Sequence, residues 1–232
     1  MKLEKGCLAG IEFWHRPGFS DLKTFQEVLG RNVYRQRGMK IAPGEKWMDC
    51  GGNVGAFTLL ACHQGASVTT YEPDPYSCEL LSKNLALNGF SAEIRQAALV
   101  HNDWKAVTLF VGNNNNVWRN SIVKQWNSSG LTVPAVNFDK EAVRFDNCKM
   151  DIEGAEMPIL EQTGRVFKKL VYEWSFDIDP SLPRLWSLLD RQKQSYRVEA
   201  AWSSIHYDSH KHERWNSAWF PPCTTVFCFE RV

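Results

Sequence analysis

Short apolar runs alternate with longer stretches of helical spacing through the middle of the chain. Residues 46–50 (Lys-Trp-Met-Asp-Cys) read as a short apolar strand, and 56–64 as a helix with apolar residues on most faces. Residues 67–71 form a β-branched strand. The helix predicted over 75–88 has Pro75 at its first turn and stops at Asn88-Gly89. A third strand is expected at 92–96, further extended pieces at 106–111 and 131–136, and core strands at 147–152 and 170–174. Residues 182–192 read as helix, and strands at 198–202 and 225–229 would close the sheet. Strands separated by helices imply an α/β sheet, parallel at least in its first half. Ligands of such sheets sit beyond the carboxyl ends of the strands, so those ends are where chemistry is sought.

No internal repeat and no Pro/Ser-rich linker divides the chain, which therefore reads as one domain. The four asparagines at 113–116 suit an exposed loop, because Asn tolerates turns and left-handed backbone. Near-equal charge, 27 Lys plus Arg against 26 Asp plus Glu, argues against a protein that holds nucleic acid by bulk charge, although a local basic groove stays open. The 7 cysteines contain no C-x-x-C pair, which excludes the usual zinc ribbon and thioredoxin patterns and suits reduced thiols. The first residues lack the apolar stretch of a signal peptide, and no run of about 18 apolar residues offers a membrane span. A cytoplasmic protein is expected, and the sequon Asn127-Ser128-Ser129 is taken as chance.

The first core strand runs into Asp49-Cys50-Gly51-Gly52-Asn53-Val54-Gly55. Gly51, Asn53 and Gly55 are residues that accept left-handed backbone, as a tight strand-to-helix turn requires. The spacing departs from a dinucleotide fingerprint at Asn53, and no phosphate-binding Lys follows. A loop led by the Asp49 carboxylate would repel a pyrophosphate and suit a cationic amino group. The second strand ends at Glu72-Pro73, where a carboxylate can accept hydrogen bonds from a ribose diol. Ribose, no phosphate and an amino-acid tail describe S-adenosylmethionine (SAM).

These two stretches, together with Lys149-Met150-Asp151-Ile152-Glu153-Gly154-Ala155-Glu156, resemble the FkbM-type methyltransferases. The lead-in from Arg16 to Asp21, with Val28 and Tyr34 beyond it, is also similar, and the likeness runs over roughly 16–175. The resemblance implies a Rossmann-like class I methyltransferase fold: a seven-stranded, mostly parallel sheet with an antiparallel last strand and helices on both faces. It divides the chain into a lead-in or cap (1–45), a SAM-binding core (46–175) and a C-terminal part that completes the sheet and the acceptor site (176–232). It also implies methyl transfer to oxygen, most often on a sugar or a polyketide-like product, with Ala97 and Ala98 bordering the adenine.

Methylating a hydroxyl requires help with its proton. Asp151, at the end of the fourth core strand, is the first candidate base, and Glu173, at the end of the next, is the second. Glu153 and Glu156 lie close by in sequence. Asp151 could instead cap a helix opening at Ile152-Glu153-Gly154. His206 follows an apolar run and is the third candidate base; His210 and His212 read as a polar loop. His206, Asp208, His210 and His212 could gather a divalent metal, but none is predicted. Trp202, Trp215, Trp219 and Phe220 suit either a core or a surface on which a sugar stacks.

The expected function is SAM-dependent O-methylation of a sugar or glycan hydroxyl. The alternatives are a small secondary metabolite as acceptor, a nucleic-acid methyltransferase, or a binding module without activity. Asp151-Ile152-Glu153-Gly154 stands where amino methylation of bases favours an Asn/Asp-Pro-Pro-aromatic motif, so a nucleic-acid acceptor is disfavoured. Nothing in the sequence sets an oligomeric state.

Overall fold

The computed structural model describes residues 2–112, 115–126, 130–175, 178–201 and 223–231. Trp202, His206, Asp208, His210, His212, Trp215, Trp219, Phe220 and the sequon at 127–129 lie outside the described residues.

The chain opens with an antiparallel hairpin, β1 (Glu4–Leu8) and β2 (Ile11–His15). A short helix, α1 (Asp21–Phe25), runs on into a π-helical turn (Gln26–Gly30). Strands and helices then alternate: β3 (Lys46–Cys50), α2 (Ala56–His63), β4 (Ser67–Tyr71), α3 (Pro75–Leu87) and β5 (Glu93–Arg95). Next come β6 (Ala98–Val100), β7 (Ala106–Phe110), β8 (Gly130–Asn137) and α4 (Phe138–Ala142). The remainder comprises β9 (Asn147–Met150), α5 (Glu156–Gln162), β10 (Lys169–Ser175), α6 (Leu182–Gln192), β11 (Tyr196–Ala201) and β12 (Cys223–Glu230).

The main sheet has seven strands in the order β11-β12-β10-β9-β3-β4-β5. Its first five strands by sequence are mutually parallel, and β12 runs antiparallel to both of its neighbours. That is the predicted seven-stranded, mostly parallel arrangement. The extended pieces at 106–111 and 131–136 stay out of it: β7 and β8 pair antiparallel, β6 joins β8, and the three form a separate sheet.

Central β3 is buried along most of its length, as a parallel strand covered on both faces should be. Alternation splits its side chains between two cores. Trp47 packs with Phe13, Phe25, Phe57 and Leu81 from the lead-in, α2 and α3. Met48 and Cys50 face Phe138, Leu160, Leu185 and Leu189 from α4, α5 and α6. Helices therefore cover both faces. The lead-in shares the first core rather than forming one of its own: Phe13 stacks on Phe25 with ring centroids 3.9 Å apart. The α3 start is set locally, because Asp74 accepts from the Tyr76 and Ser77 amides and Pro75 follows it at the first turn.

Candidate active site

The loop after β3 has the backbone its residue types imply. Gly51, Asn53 and Gly55 all have positive φ (+82°, +45° and +98°). At Gly51 a side chain is also excluded by space, since a Cβ would lie 1.8 Å from the Asp151 carbonyl oxygen. Gly52 is excluded from bearing one by the Thr70 hydroxyl, 2.0 Å from where a Cβ would stand. The amides of Gly51 and Gly52 both donate to the Tyr71 carbonyl, which fastens the loop to the end of β4.

Asp49 faces inward. It is fully buried, accepts hydrogen bonds from the Thr58 hydroxyl (2.6 Å) and Thr70 hydroxyl (3.4 Å), and lies 3.2 Å from the Lys149 ammonium. Its charge is therefore met within the protein. Lys149 also donates to the Gly51 carbonyl at 2.7 Å, so one buried cation ties the loop to β9. Burial pulls that ammonium's pKa down, but the carboxylates of Asp49 and Asp151 outweigh it and hold the pKa above its ordinary value. Lys149 was visible in the sequence only as the first residue of an acidic motif. A lysine inside a buried strand next to such a motif was the available signal.

Glu72 is buried and points its carboxylate across the same loop. One oxygen accepts from the Asn53 amide (2.7 Å) and the other from the Asp74 amide (2.8 Å). Burial pushes its carboxyl up to about 7, against those amide bonds and Lys149 and with the Asp74 charge. The side-chain oxygen of Asn53 is buried and has no hydrogen-bond partner among the described residues. Pro73 leads from Glu72 into the Asp74 cap. The Arg95 carbonyl accepts from both the Glu72 and the Ala97 amides, so buried Ala97 and Ala98 begin beside Glu72 at the end of β5. The predicted cofactor residues thus converge on the carboxyl ends of β3, β4 and β5.

Of the predicted acids, Asp151, Glu153 and Glu156 lie beyond the end of β9, whereas Glu173 lies within β10, two residues before its end at Ser175. The Asp151 amide donates to the Cys50 carbonyl, holding its residue against the loop. The Tyr34 hydroxyl donates to Asp151 Oδ2 at 2.6 Å, and the Lys149 ammonium lies 4.0 Å from that oxygen. Glu173 stands on β10, one step past the Tyr172–Met150 pair that precedes Asp151 on β9. The segment after Asp151 does not open a helix. Glu153 and Gly154 have positive φ (+53° and +105°), and α5 begins only at Glu156 after an Ala155 cap. Asp151 is therefore not a helix cap. Glu156 closes this turn by accepting from the Ile152 and Gly154 amides. Burial, then the Asp151 charge, brings its carboxyl up to about 7. Burial and the charges of Asp151, Glu173 and Glu156 push Glu153 well above the usual carboxylate range, opposed by Arg119. Ser121, from the stretch before β8, donates to the Glu153 carbonyl and packs over the same turn.

Glu72, after β4, and Asp151, after β9, thus flank the loop that follows β3. His206 lies outside the described residues. Among the described residues no group of three His, Cys, Asp or Glu side chains is arranged to hold a metal ion. Tyr34 is the residue the sequence did not single out for chemistry, because 117 positions separate it from Asp151.

Comparison with known proteins bears on the family and the fold. A 31-O-demethyl-FK506 methyltransferase FkbM from Streptomyces tacrolimicus is 29% identical over 77 residues, which cover 32% of this chain and 30% of that protein. Among solved structures, the Pyrococcus abyssi tRNA (uracil-54, C5)-methyltransferase in complex with S-adenosyl-L-homocysteine aligns over 98% of this chain and 44% of its own, with a TM-score of 0.50 and 15% identity. A SAM-dependent methyltransferase from Agrobacterium tumefaciens aligns over 98% of this chain and 70% of its own, with a TM-score of 0.50 and 13% identity. Those likenesses speak to the fold. The model of the methyltransferase FkbM domain matches residues 49–198, from the loop aspartate through Asp151 and Glu173 and into β11, and the chain belongs to that family.

Proposed function

We propose that this chain is a SAM-dependent O-methyltransferase acting on a hydroxyl of a sugar or glycan. The observation that carries the cofactor reading is Glu72: a buried carboxylate at the end of β4 whose two oxygens each accept one amide, from Asn53 and Asp74, which leaves lone pairs for a diol. The neighbouring Asn53 oxygen lacks a described partner, and Gly51 and Gly52 let the loop pack closely on Asp151 and Thr70. Glu72 with Pro73 would hold the ribose, Ala97 and Ala98 would border the adenine, and Gly51, Asn53 and Gly55 would receive the amino-acid portion. Asp49 supports that loop through Lys149 and Thr58 rather than reaching the ligand itself. Bound there, the cofactor supplies a methyl group already activated on its sulfonium.

The chain's own task is to align the acceptor hydroxyl and take its proton. Asp151 is the base in this reading, Glu173 the second candidate and His206 the third. A compact hydroxyl donor suits the acid-lined end, which would repel the phosphates of a nucleic acid. Cys7, Cys50, Cys62, Cys78, Cys148 and Cys228 are free thiols, in keeping with a reducing, cytoplasmic setting. No described helix is long and apolar enough to cross a membrane.

One observation favours a second acceptor class. The Streptomyces relative is named for methylation at an oxygen of FK506, which supports a hydroxyl on a secondary metabolite. The test begins with calorimetric titration of SAM and S-adenosylhomocysteine, followed by transfer of labelled methyl to panels of sugars, glycans, polyketide alcohols and RNA. Binding at one site and label on a sugar oxygen is the expected result. Label on a polyketide alcohol would select the second reading. No binding of either nucleoside, or label on nitrogen, would overturn both.

A further inference from the structure

We propose that Tyr34 is a positioning residue for Asp151, so that the segment before β3 completes the reaction centre. The proposal rests on the reading of Asp151 as the base. Tyr34 lies outside the residues matched by the family model, which begin at 49. It is buried, its ring meets Phe57 edge-on at 5.8 Å, and the Lys149 ammonium lies 5.4 Å from the ring centroid. Val33, Met39 and Ile41 on either side are buried in the same core and fix the segment. The hydroxyl therefore has a set place, 2.6 Å from Asp151 Oδ2.

Two consequences follow from which oxygen it takes. Tyr34 engages Oδ2, the oxygen that Lys149 also approaches, and no described residue bonds Oδ1. The Asp151 side chain keeps 27% of its surface exposed, so an acceptor hydroxyl can reach it, and Oδ1 is the oxygen without a partner among the described residues. Secondly, Asp151 faces a crowd of acids. Glu27 looks at it from the π-helical turn and Glu153 and Glu156 from the turn before α5, while Glu173, on β10, acts on Glu153. Lys149 is the nearby cation, while Arg119 acts on Glu153. A base must be ionised to accept a proton, and like charges oppose ionisation. A hydroxyl donor that bonds the charged form counters them.

The test compares Tyr34→Phe with the wild-type protein labelled with carboxyl-13C aspartate, the Asp151 resonance being assigned from Asp151→Asn. The expected result is that the Asp151 titration moves to higher pH by about one unit in Tyr34→Phe, with calorimetric SAM affinity unchanged. Turnover of the best acceptor in the sugar and alcohol panel should fall about ten-fold, and its acid limb should move up in parallel. Phe keeps the contacts of the ring with Phe57 and Lys149, and thermal unfolding checks that the fold persists. If Tyr34→Phe fails to fold, uniform 3-fluorotyrosine replaces it: a stronger donor must move the titration to lower pH. An unmoved titration overturns the role of Tyr34 whatever Asp151→Asn does. A moved titration with full turnover by Asp151→Asn overturns the base reading instead, and the positioning role with it.

Discussion

The Lys149 ammonium meets the Asp49 carboxylate at 3.2 Å beneath the first loop, with both side chains shut away from water. Each charge is tolerable there only because of the other. Removing the cation strands a buried carboxylate, a change that typically costs about 3–5 kcal/mol. Lys149→Met should therefore destabilise the protein by roughly that amount in urea unfolding, while Asp49→Asn with Lys149→Met should recover most of it. A single-variant loss within the ordinary surface range would show that the pair contributes little. The protonation-linked stability that Lys149 contributes is present below the unfolded lysine pKa and is lost only as pH rises through the raised folded value, so it is intact at neutral pH.

Glu72 makes ligand binding depend on pH near neutrality. Its carboxyl sits at about 7, raised by burial, and a ribose diol bonds the ionised form better. SAM binding should release a proton, and affinity should fall as pH drops through 7, approaching tenfold per unit below it. Titration in buffers of differing ionisation enthalpy would detect the proton. Glu72→Gln should bind more weakly and lose that dependence. The unliganded protein behaves in the opposite sense. An unfolded glutamate loses its proton near 4.5 while Glu72 and Glu156 keep theirs to about 7, so these groups make stability fall as pH rises across that window.

Asp151→Asn keeps the shape of the site and removes the proposed proton acceptor. General-base removal typically costs about 10²–10⁴-fold in rate. Turnover should fall within that range while calorimetric SAM affinity stays near wild type. Glu173→Gln, one strand farther on, should cost less. Full activity in the first variant and a large loss in the second would transfer the role to Glu173.

Gly51→Ala should be among the most damaging small substitutions in the chain. It combines a positive φ with a backbone oxygen of Asp151 1.8 Å from the new carbon, and that oxygen is not the flexible end of a side chain. The ends of β3 and β9 must part, so both SAM binding and thermal stability should drop. An unchanged melting temperature would show that the strand ends yield easily.

What the sequence disclosed was what local physics decides. Asn53 was expected in left-handed backbone and stands at φ +45°. Pro75 begins α3, and α6 keeps its expected bounds at Leu182–Gln192. The β1–β2 hairpin is also written locally, since β2 alternates buried and half-buried positions, but five residues are a short signal to find in a lead-in. The alternative of a helix opening directly after Asp151 is excluded because Glu153 and Gly154 take left-handed backbone, with Glu156 bonding back over the turn. Extended pieces such as β7 and β8 say nothing of which sheet they join. The Tyr34–Asp151 contact is beyond any local rule, because it depends on how the lead-in packs against the end of β9.

Asn84 offers a way to ask whether that lead-in serves the site or only the core. It is fully buried on α3, accepts from the Trp14 amide at 2.6 Å, and donates to the Trp14 carbonyl (3.2 Å) and the Val54 carbonyl (3.0 Å). One side chain thus joins β2 to the end of the first loop. Asn88, one turn on, makes the same kind of pair with Glu12, at 3.0 and 2.7 Å, but has no bond to that loop. Truncating either leaves backbone groups unsatisfied, at about 1–3 kcal/mol for a buried group and less for an exposed one. Asn84→Ala should therefore lose stability and weaken SAM binding together, whereas Asn88→Ala should lose stability alone. Equal SAM affinities in the two variants, measured well below their melting temperatures, would show that the hairpin braces the sheet without shaping the loop.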